Sequence, residues 1–290
     1  MHPALQALLA HGPILSDGAW GTQLQARGLP IGETPDWWNL SQAAAVESVA
    51  AAYVAAGSRI ILTNTFGASR QRLGVDLPAA RLAEVNAAGV ACSRAAAGTQ
   101  ALVYASIGPS GKLLITEEVT PEALTAAFAE QAQALAAAGA DGLVVETMED
   151  LDEAVLAVQA AAATGLPVIA CMSFSRGAAF DRTQMGVTPE QAVPALLAAG
   201  AAMIGANCGV GPAEALGLCR RLSQAAGGPV WLKPNAGLPR LQNGQTVYDL
   251  APEAFAQAAL KLVAAGAGIV GGCCGTSPAH LQALAKALRG

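Results

Sequence analysis

One phrase recurs four times along this chain and restricts its fold more than any other feature. Ala55-Ala56-Gly57 leads into Ile60-Ile61-Leu62, Ala137-Ala138-Gly139 into Leu143-Val144-Val145, Ala198-Ala199-Gly200 into Met203-Ile204, and Ala264-Ala265-Gly266 into Ile269-Val270. Each reads as an Ala-rich helix closed by a C-cap glycine, a short return, then an apolar strand. The strand runs are continuously apolar rather than alternating, which fits a parallel sheet covered by helices on its outer face. Strand patterns are expected near 14–17, 60–65, 101–107, 142–147, 167–174, 203–208, 230–235 and 269–274. Helical patterns follow near 41–57, 82–97, 121–139, 150–164, 189–200, 212–226, 252–266 and 278–288. Thr120-Pro121, Thr188-Pro189 and Ser277-Pro278 supply an N-cap followed by a favourable first helical residue. Eight such units predict an α/β fold: a (β/α)8 barrel, one domain over 1–290 without a linker.

With 53% hydrophobic and only 13% charged residues, 290 residues can bury one large core. A net charge of −5, with no cationic cluster beyond pairs such as Arg220-Arg221, argues against nucleic acid or an anionic membrane as partner. The uncharged stretch from Gln191 to Glu214 is long enough for a span. Pro194, Gly200, Gly205, Asn207, Gly209, Gly211 and Pro212 interrupt it, so a buried helix and strand explain it better. No Lys or Arg precedes Asp17 and no apolar core follows Met1, so a signal peptide is not expected. The expected location is cytoplasmic and reducing, where cysteines serve metals more often than disulfides.

A barrel of this kind carries its chemistry at the carboxyl ends of its strands. Those ends read Asp17, Asn64-Thr65, Ser106, Glu146, Ser173, Asn207-Cys208, Asn235 and Cys273-Cys274, and the longer loops 18–40, 108–119 and 175–187 lie on that face. Isolated members such as Ser106 could simply cap neighbouring helices. His2, His11 and His280 lie away from these ends and are read as surface or helix residues. Three cysteines converging there would make a soft anionic cage suited to zinc, with one coordination position left open. Such a metal suits activation of a thiol substrate. Successive residues of a regular strand face opposite ways, so Cys273 and Cys274 can share a metal only where Gly271, Gly272 and Gly275 bend the chain. Buried free thiols and a strained Cys273–Cys274 vicinal disulfide remain alternatives. Cys92, Cys171 and Cys219, inside apolar patterns, read as packing residues.

Asp17-Gly18-Ala19-Trp20-Gly21-Thr22-Gln23-Leu24, Thr63-Asn64-Thr65-Phe66, Glu146-Thr147, Pro234-Asn235-Ala236-Gly237-Leu238-Pro239 and Gly271-Gly272-Cys273-Cys274-Gly275-Thr276 resemble, in order, signature segments of the homocysteine S-methyltransferase family. The resemblance runs from about Ile14 to the carboxyl end. It implies a barrel enzyme that transfers a methyl group to homocysteine, giving methionine, with Zn2+ on Cys208, Cys273 and Cys274. It implies Asp17 and Glu146 at the amino-acid end of the substrate, main-chain amides near Gly18 for its carboxylate, and Asn64 and Thr65 nearby. Asn235 takes the position of a conditional fourth zinc ligand that the substrate thiol displaces, and its surrounding wording is closest to the methionine synthase module. A metal-bound thiol becomes thiolate, the nucleophilic form.

The methyl donor is not legible. The chain stops after the eighth helix, so folate and cobalamin domains are not expected within it. Trp20, Trp37 and Trp38 could offer aromatic faces to a cationic donor such as S-methylmethionine or a betaine. The plainer reading, a hydrophobic lid or a contact within a homo-oligomer, is preferred. A corrinoid protein delivering the methyl group is the other source, with this chain then serving as the homocysteine-activating subunit. A Schiff-base lyase or aldolase using Lys233 is a second alternative, and it leaves the three cysteines unexplained.

Overall fold

The computed structural model describes residues 2–242 and 245–289. Among the described residues there are ten strands: β1 (Ile14–Leu15), β2 (Ile60–Leu62), β3 (Leu102–Ile107), β4 (Gly142–Met148), β5 (Val168–Met172), β6 (Met203–Asn207), β7 (Val230–Lys233), β8 (Arg240–Gln242), β9 (Gln245–Val247) and β10 (Ala267–Val270). Eight pair in parallel in the order β1-β10-β7-β6-β5-β4-β3-β2. A parallel bridge between Ser16 and Ile60 brings β1 back to β2 and nearly closes the (β/α)8 barrel. Helices Ala43–Ala55, Ala79–Ala97, Pro121–Ala137, Leu151–Ala162, Pro189–Ala198, Ala215–Ala226, Pro252–Ala264 and Pro278–Arg289 surround it. Among the described residues no helix is long and apolar enough to cross a membrane.

Local chemistry starts and stops these helices. Thr120 Oγ1 accepts from Ala123 N at 3.2 Å, and Gln191 Oε1 reaches back to Thr188 N at 2.9 Å. Gly57, Gly139, Gly200 and Gly266 end the four repeated phrases with φ of +105°, +89°, +108° and +116°. That left-handed region is close to free for glycine and costs other residues roughly 1–2 kcal/mol.

Strand alternation then sorts two cores. Ile61, Val103, Leu143, Val145, Ala170, Ile204, Leu232 and Val270 face outward and pack under the helices. Ile60, Leu62, Tyr104, Val144, Ile169, Cys171, Met203, Trp231 and Ile269 fill the barrel interior. Two residues beyond the interior apolar set, on the same faces, come Ser106, Glu146 and Lys233. A polar layer therefore rests directly on the apolar plug, at the carboxyl end of the barrel.

Several elements were not anticipated, among them the short helices Gly21–Gln25, Trp38–Ser41 and Arg70–Leu73 in the loops. Pro3–Leu9 is a helix that stoppers the opposite end, with Leu5 fully buried in the interior cluster and Leu8 and Leu9 against it. β8 and β9 form an antiparallel hairpin outside the barrel. The strands expected to reach 65, 208, 235 and 274 end earlier, at Leu62, Asn207, Lys233 and Val270, because their polar tails leave the ladder to build the site.

The stopper helix carries a stability consequence. Leu5→Ala should lower the unfolding free energy by about 2–5 kcal/mol in urea titrations, as for other fully buried leucines. A loss below about 1 kcal/mol would show that the helix is not integral to the core.

Candidate metal and substrate site

Cys208 leaves β6 with φ of +60°, a conformation that a non-glycine residue holds only where its surroundings enforce it. Its N–H donates to Lys233 O at 3.0 Å, and Gly209 follows where a Cβ would stand 2.6 Å from Phe174 O. After β10 the chain passes so close to its neighbours that side chains at Gly271 and Gly272 would collide with Ser16 and Thr276. Cys273 N donates to Pro234 O at 2.8 Å, and both Thr276 N and Thr276 Oγ1 hold Cys273 O. These turns bring the three sulfurs within 4.8 Å of one another, with Cys208 Sγ and Cys274 Sγ 3.8 Å apart.

That spacing fits a thiolate-held metal. Zn–S bonds of about 2.3 Å on a tetrahedron give an S–S edge of about 3.8 Å. All six cysteines are free, so the vicinal disulfide is not formed. The Cys208 thiol is lowered by its contact with Cys273, but the Cys274 contact and burial outweigh this and push it up to about 12. Cys274 is lowered by Cys208 and raised more by Cys273 and by burial, again to about 12. Cys273 is raised further, by Cys208 and burial. Three crowded thiols remain protonated at neutral pH unless a cation compensates them, so the cluster suits a metal. Asn235 adds a second sign. It is 1% exposed and its Oδ1 has no hydrogen-bond partner among the described residues, while the next amide, Ala236 N, donates to Cys274 O. A buried oxygen without a partner, one residue from the amide that holds Cys274 O, is the kind of donor a fourth ligand needs.

Beside the sulfurs lies a charged network. Glu146 is held by Ser106 Oγ on Oε1 at 2.5 Å and by Asn207 Nδ2 on Oε2 at 3.2 Å. Asn207 also approaches Cys273 Sγ at 3.8 Å, tying the network to the cluster. Burial pushes the Glu146 carboxyl above its ordinary range, against the Lys233 charge and the Ser106 hydrogen bond. Lys233 Nζ stands 2.5 Å from Asp17 Oδ1, with both side chains almost fully buried. Burial alone would lower the Lys233 ammonium, but the Asp17 and Glu146 charges outweigh it and hold it above the usual lysine value.

The sulfurs, Glu146 and Lys233 line one cavity of about 770 Å³, with Gly18, Asn64 and Trp20. The expected substrate residues are distributed unevenly around it. Glu146 and Gly18 face the cavity. Asp17 does not: it is fully buried, and its oxygens take Lys233 Nζ, Trp20 Nε1 at 2.7 Å and Leu62 N at 2.8 Å. Ala19 N, one of the amides near Gly18, is engaged by Thr276 Oγ1. Asn64 lines the cavity, but its amide braces the first long loop through Pro35 O and Asn39 Oδ1. Thr65 is buried behind the lining, on Ser106 O and Thr63. Lys233 as a Schiff-base nucleophile is corrected, since that chemistry needs a neutral amine and this one is ion-paired.

The tryptophans separate likewise. Trp20 reaches the cavity, whereas Trp38 is buried with Nε1 on Glu33, and Arg81 lies over the Trp37 ring at 5.8 Å. An aromatic face for a cationic donor therefore reduces to Trp20, since the Phe66 ring in the same lining already carries Arg72 at 5.8 Å. Three contributors escaped the sequence reading. Asp36 bridges loops by accepting from Gly67 N, and burial pushes it up to about 6. Tyr248, just after β9, lies against Gly275, the residue that follows Cys274. Lys233 was noticed only as a nucleophile. Its inward direction follows from Trp231 two residues earlier, a signal available in the sequence.

Comparison with known proteins bears on the family and the fold. The sequence model of the family described as homocysteine S-methyltransferase matches residues 14–288. Methionine synthase of Mycobacterium tuberculosis is 33% identical over 97% of this chain, and that of Mycobacterium leprae 32% over 97%. The chain spans about a quarter of the length of these relatives, 25% and 24%. The structure of the Escherichia coli homocysteine methyltransferase MmuM in metallated form superposes with a TM-score of 0.81 at 24% identity, covering 97% of this chain and 99% of that one. The fold is thus shared with MmuM, and from the match over 14–288 the chain belongs to the homocysteine S-methyltransferase family of enzymes.

Proposed function

We propose that this chain transfers a methyl group to the thiol of homocysteine, giving methionine, with zinc held by Cys208, Cys273 and Cys274. The observation that carries this reading is the three-sulfur cluster opening into the same cavity as Glu146. Bound zinc would supply a positive charge that keeps a fourth, substrate sulfur as thiolate, and Asn235 Oδ1 is suited to that place when no substrate is present. Glu146, aimed by Ser106 and Asn207, reads the substrate ammonium and so orients the chain whose sulfur reacts. Asp17 contributes indirectly, as the counter-charge of Lys233.

Two sources of the methyl group fit. The cavity that holds the sulfurs is also lined by Trp20, which suits a small sulfonium or quaternary ammonium donor reacting directly. The similarity of nearly the whole chain to one quarter of each methionine synthase favours delivery by a corrinoid-carrying protein. A methionine-formation assay with homocysteine and S-methylmethionine, betaine, methylcobalamin or a methylated corrinoid protein separates them. Methionine from none of these would defeat the proposed function.

Two variants test the parts. Reduced wild-type protein should carry about one zinc per chain, and Cys273→Ala should lose both the metal and methionine formation, whereas Cys92→Ala should keep both. Full zinc retention in Cys273→Ala, read by elemental analysis, would remove the assignment. Glu146→Gln should retain zinc but weaken homocysteine binding by about 1.5–3 kcal/mol in calorimetry. It should matter far less for 4-mercaptobutyrate, which lacks the amino group. Equal losses for both thiols would show that Glu146 does not read the ammonium.

A further inference from the structure

A zwitterionic substrate needs a cation as well as an acid. Of the carboxylate-binding amides expected near Gly18, Ala19 N is engaged by Thr276 Oγ1. Lys233 lies across the cavity lining with Glu146, Gly18 and the three cysteines. Its alternation with Trp231 points it into the barrel, where its ammonium stands 6.0 Å above the Trp231 ring. An ammonium has three N–H donors. Among the described residues Asp17 is its one hydrogen-bond acceptor, so two donors remain for a ligand. Asp17 itself is closed to a substrate ammonium, its two oxygens already accepting three donors. Glu33, Asp36, Arg72 and Lys112 also line the cavity, but Glu146 and Lys233 are the acid and base tied to the sulfur cluster, Glu146 through Asn207, which it shares with Cys273, and Lys233 through its carbonyl, which accepts from Cys208 N. A thiol with both an ammonium and a carboxylate matches that arrangement.

We propose that Lys233, braced by Asp17, is a specificity-determining residue that receives the substrate carboxylate while Glu146 receives the ammonium. This rests on the reading of the site as one for homocysteine. It predicts that thiols carrying a carboxylate are selected over those without one, and that the selection resides in a single buried side chain.

Binding of three thiols to zinc-reconstituted protein tests it by calorimetry: homocysteine, 4-mercaptobutyrate, which keeps the carboxylate, and 3-mercaptopropylamine, which keeps the ammonium. Lys233→Met should weaken homocysteine and 4-mercaptobutyrate at least about tenfold, the scale of a lost charge-assisted hydrogen bond, and leave 3-mercaptopropylamine within about twofold. Because Lys233→Met leaves Asp17 unpaired, the double variant Asp17→Asn with Lys233→Met, which removes both charges, is measured beside it. The same selective loss there supports the proposal. Equal losses for all three thiols with zinc retained would reduce Lys233 to a brace for the fold. Tighter binding of the two ammonium-bearing thiols would show that Lys233 occupies the ammonium position, and would overturn it. Failure of all three thiols to bind wild-type protein would overturn the homocysteine reading together with this one.

Discussion

A strand in a closed barrel can direct only every second side chain inward, and this site depends on that constraint. The inward positions run apolar through Val144 and Trp231 and then turn polar at Glu146 and Lys233. Because neighbouring strands are in register, with Asn207 opposite Lys233, the polar residues arrive at one level. The apolar plug beneath them keeps water from below, so their charges interact in a medium far less screening than bulk water. The Asp17–Lys233 pair is tolerable there because each partner compensates the other; removing one would cost about 3–5 kcal/mol.

The sulfur cluster obeys a related logic of compensation. Three thiols brought within 4.8 Å cannot all ionise against one another in a buried place. The backbone nevertheless accepts a left-handed cysteine at 208 and two glycine-only approaches at 271 and 272 to bring them together. Strain concentrated on assembling mutually repelling groups makes sense where a cation binds them. The adjoining acid and ammonium then give a ligand sulfur a direction of approach, and the Asn207 amide connects the cluster to its surroundings.

Much of this was legible in the sequence because it repeats. The Ala-Gly-apolar phrase fixes helix ends and strand starts locally, and four of its glycines adopt the left-handed conformation expected of them. The three cysteines were visible because they stand where apolar strands stop. What escaped was set by distant partners. Asp17 lies at a strand end like a ligand-binding residue, yet its carboxylate is consumed by Lys233, 216 positions away, and by the Leu62 amide. Trp37 and Trp38 share a loop with Trp20, but only the folded loop decides which one meets the cavity. The stopper helix was missed because seven residues give barely two turns of periodicity, although Leu5, Leu8 and Leu9 carry the right spacing.

The central claim is that a substrate sulfur completes a metal held by three protein sulfurs. Zinc-edge X-ray absorption on the reduced protein, before and after saturation with homocysteine, measures this directly. The account predicts three sulfurs and one lighter ligand before addition and four sulfurs after it. Fewer than three sulfurs at the start, or an unchanged sulfur count with homocysteine demonstrably bound, would contradict it.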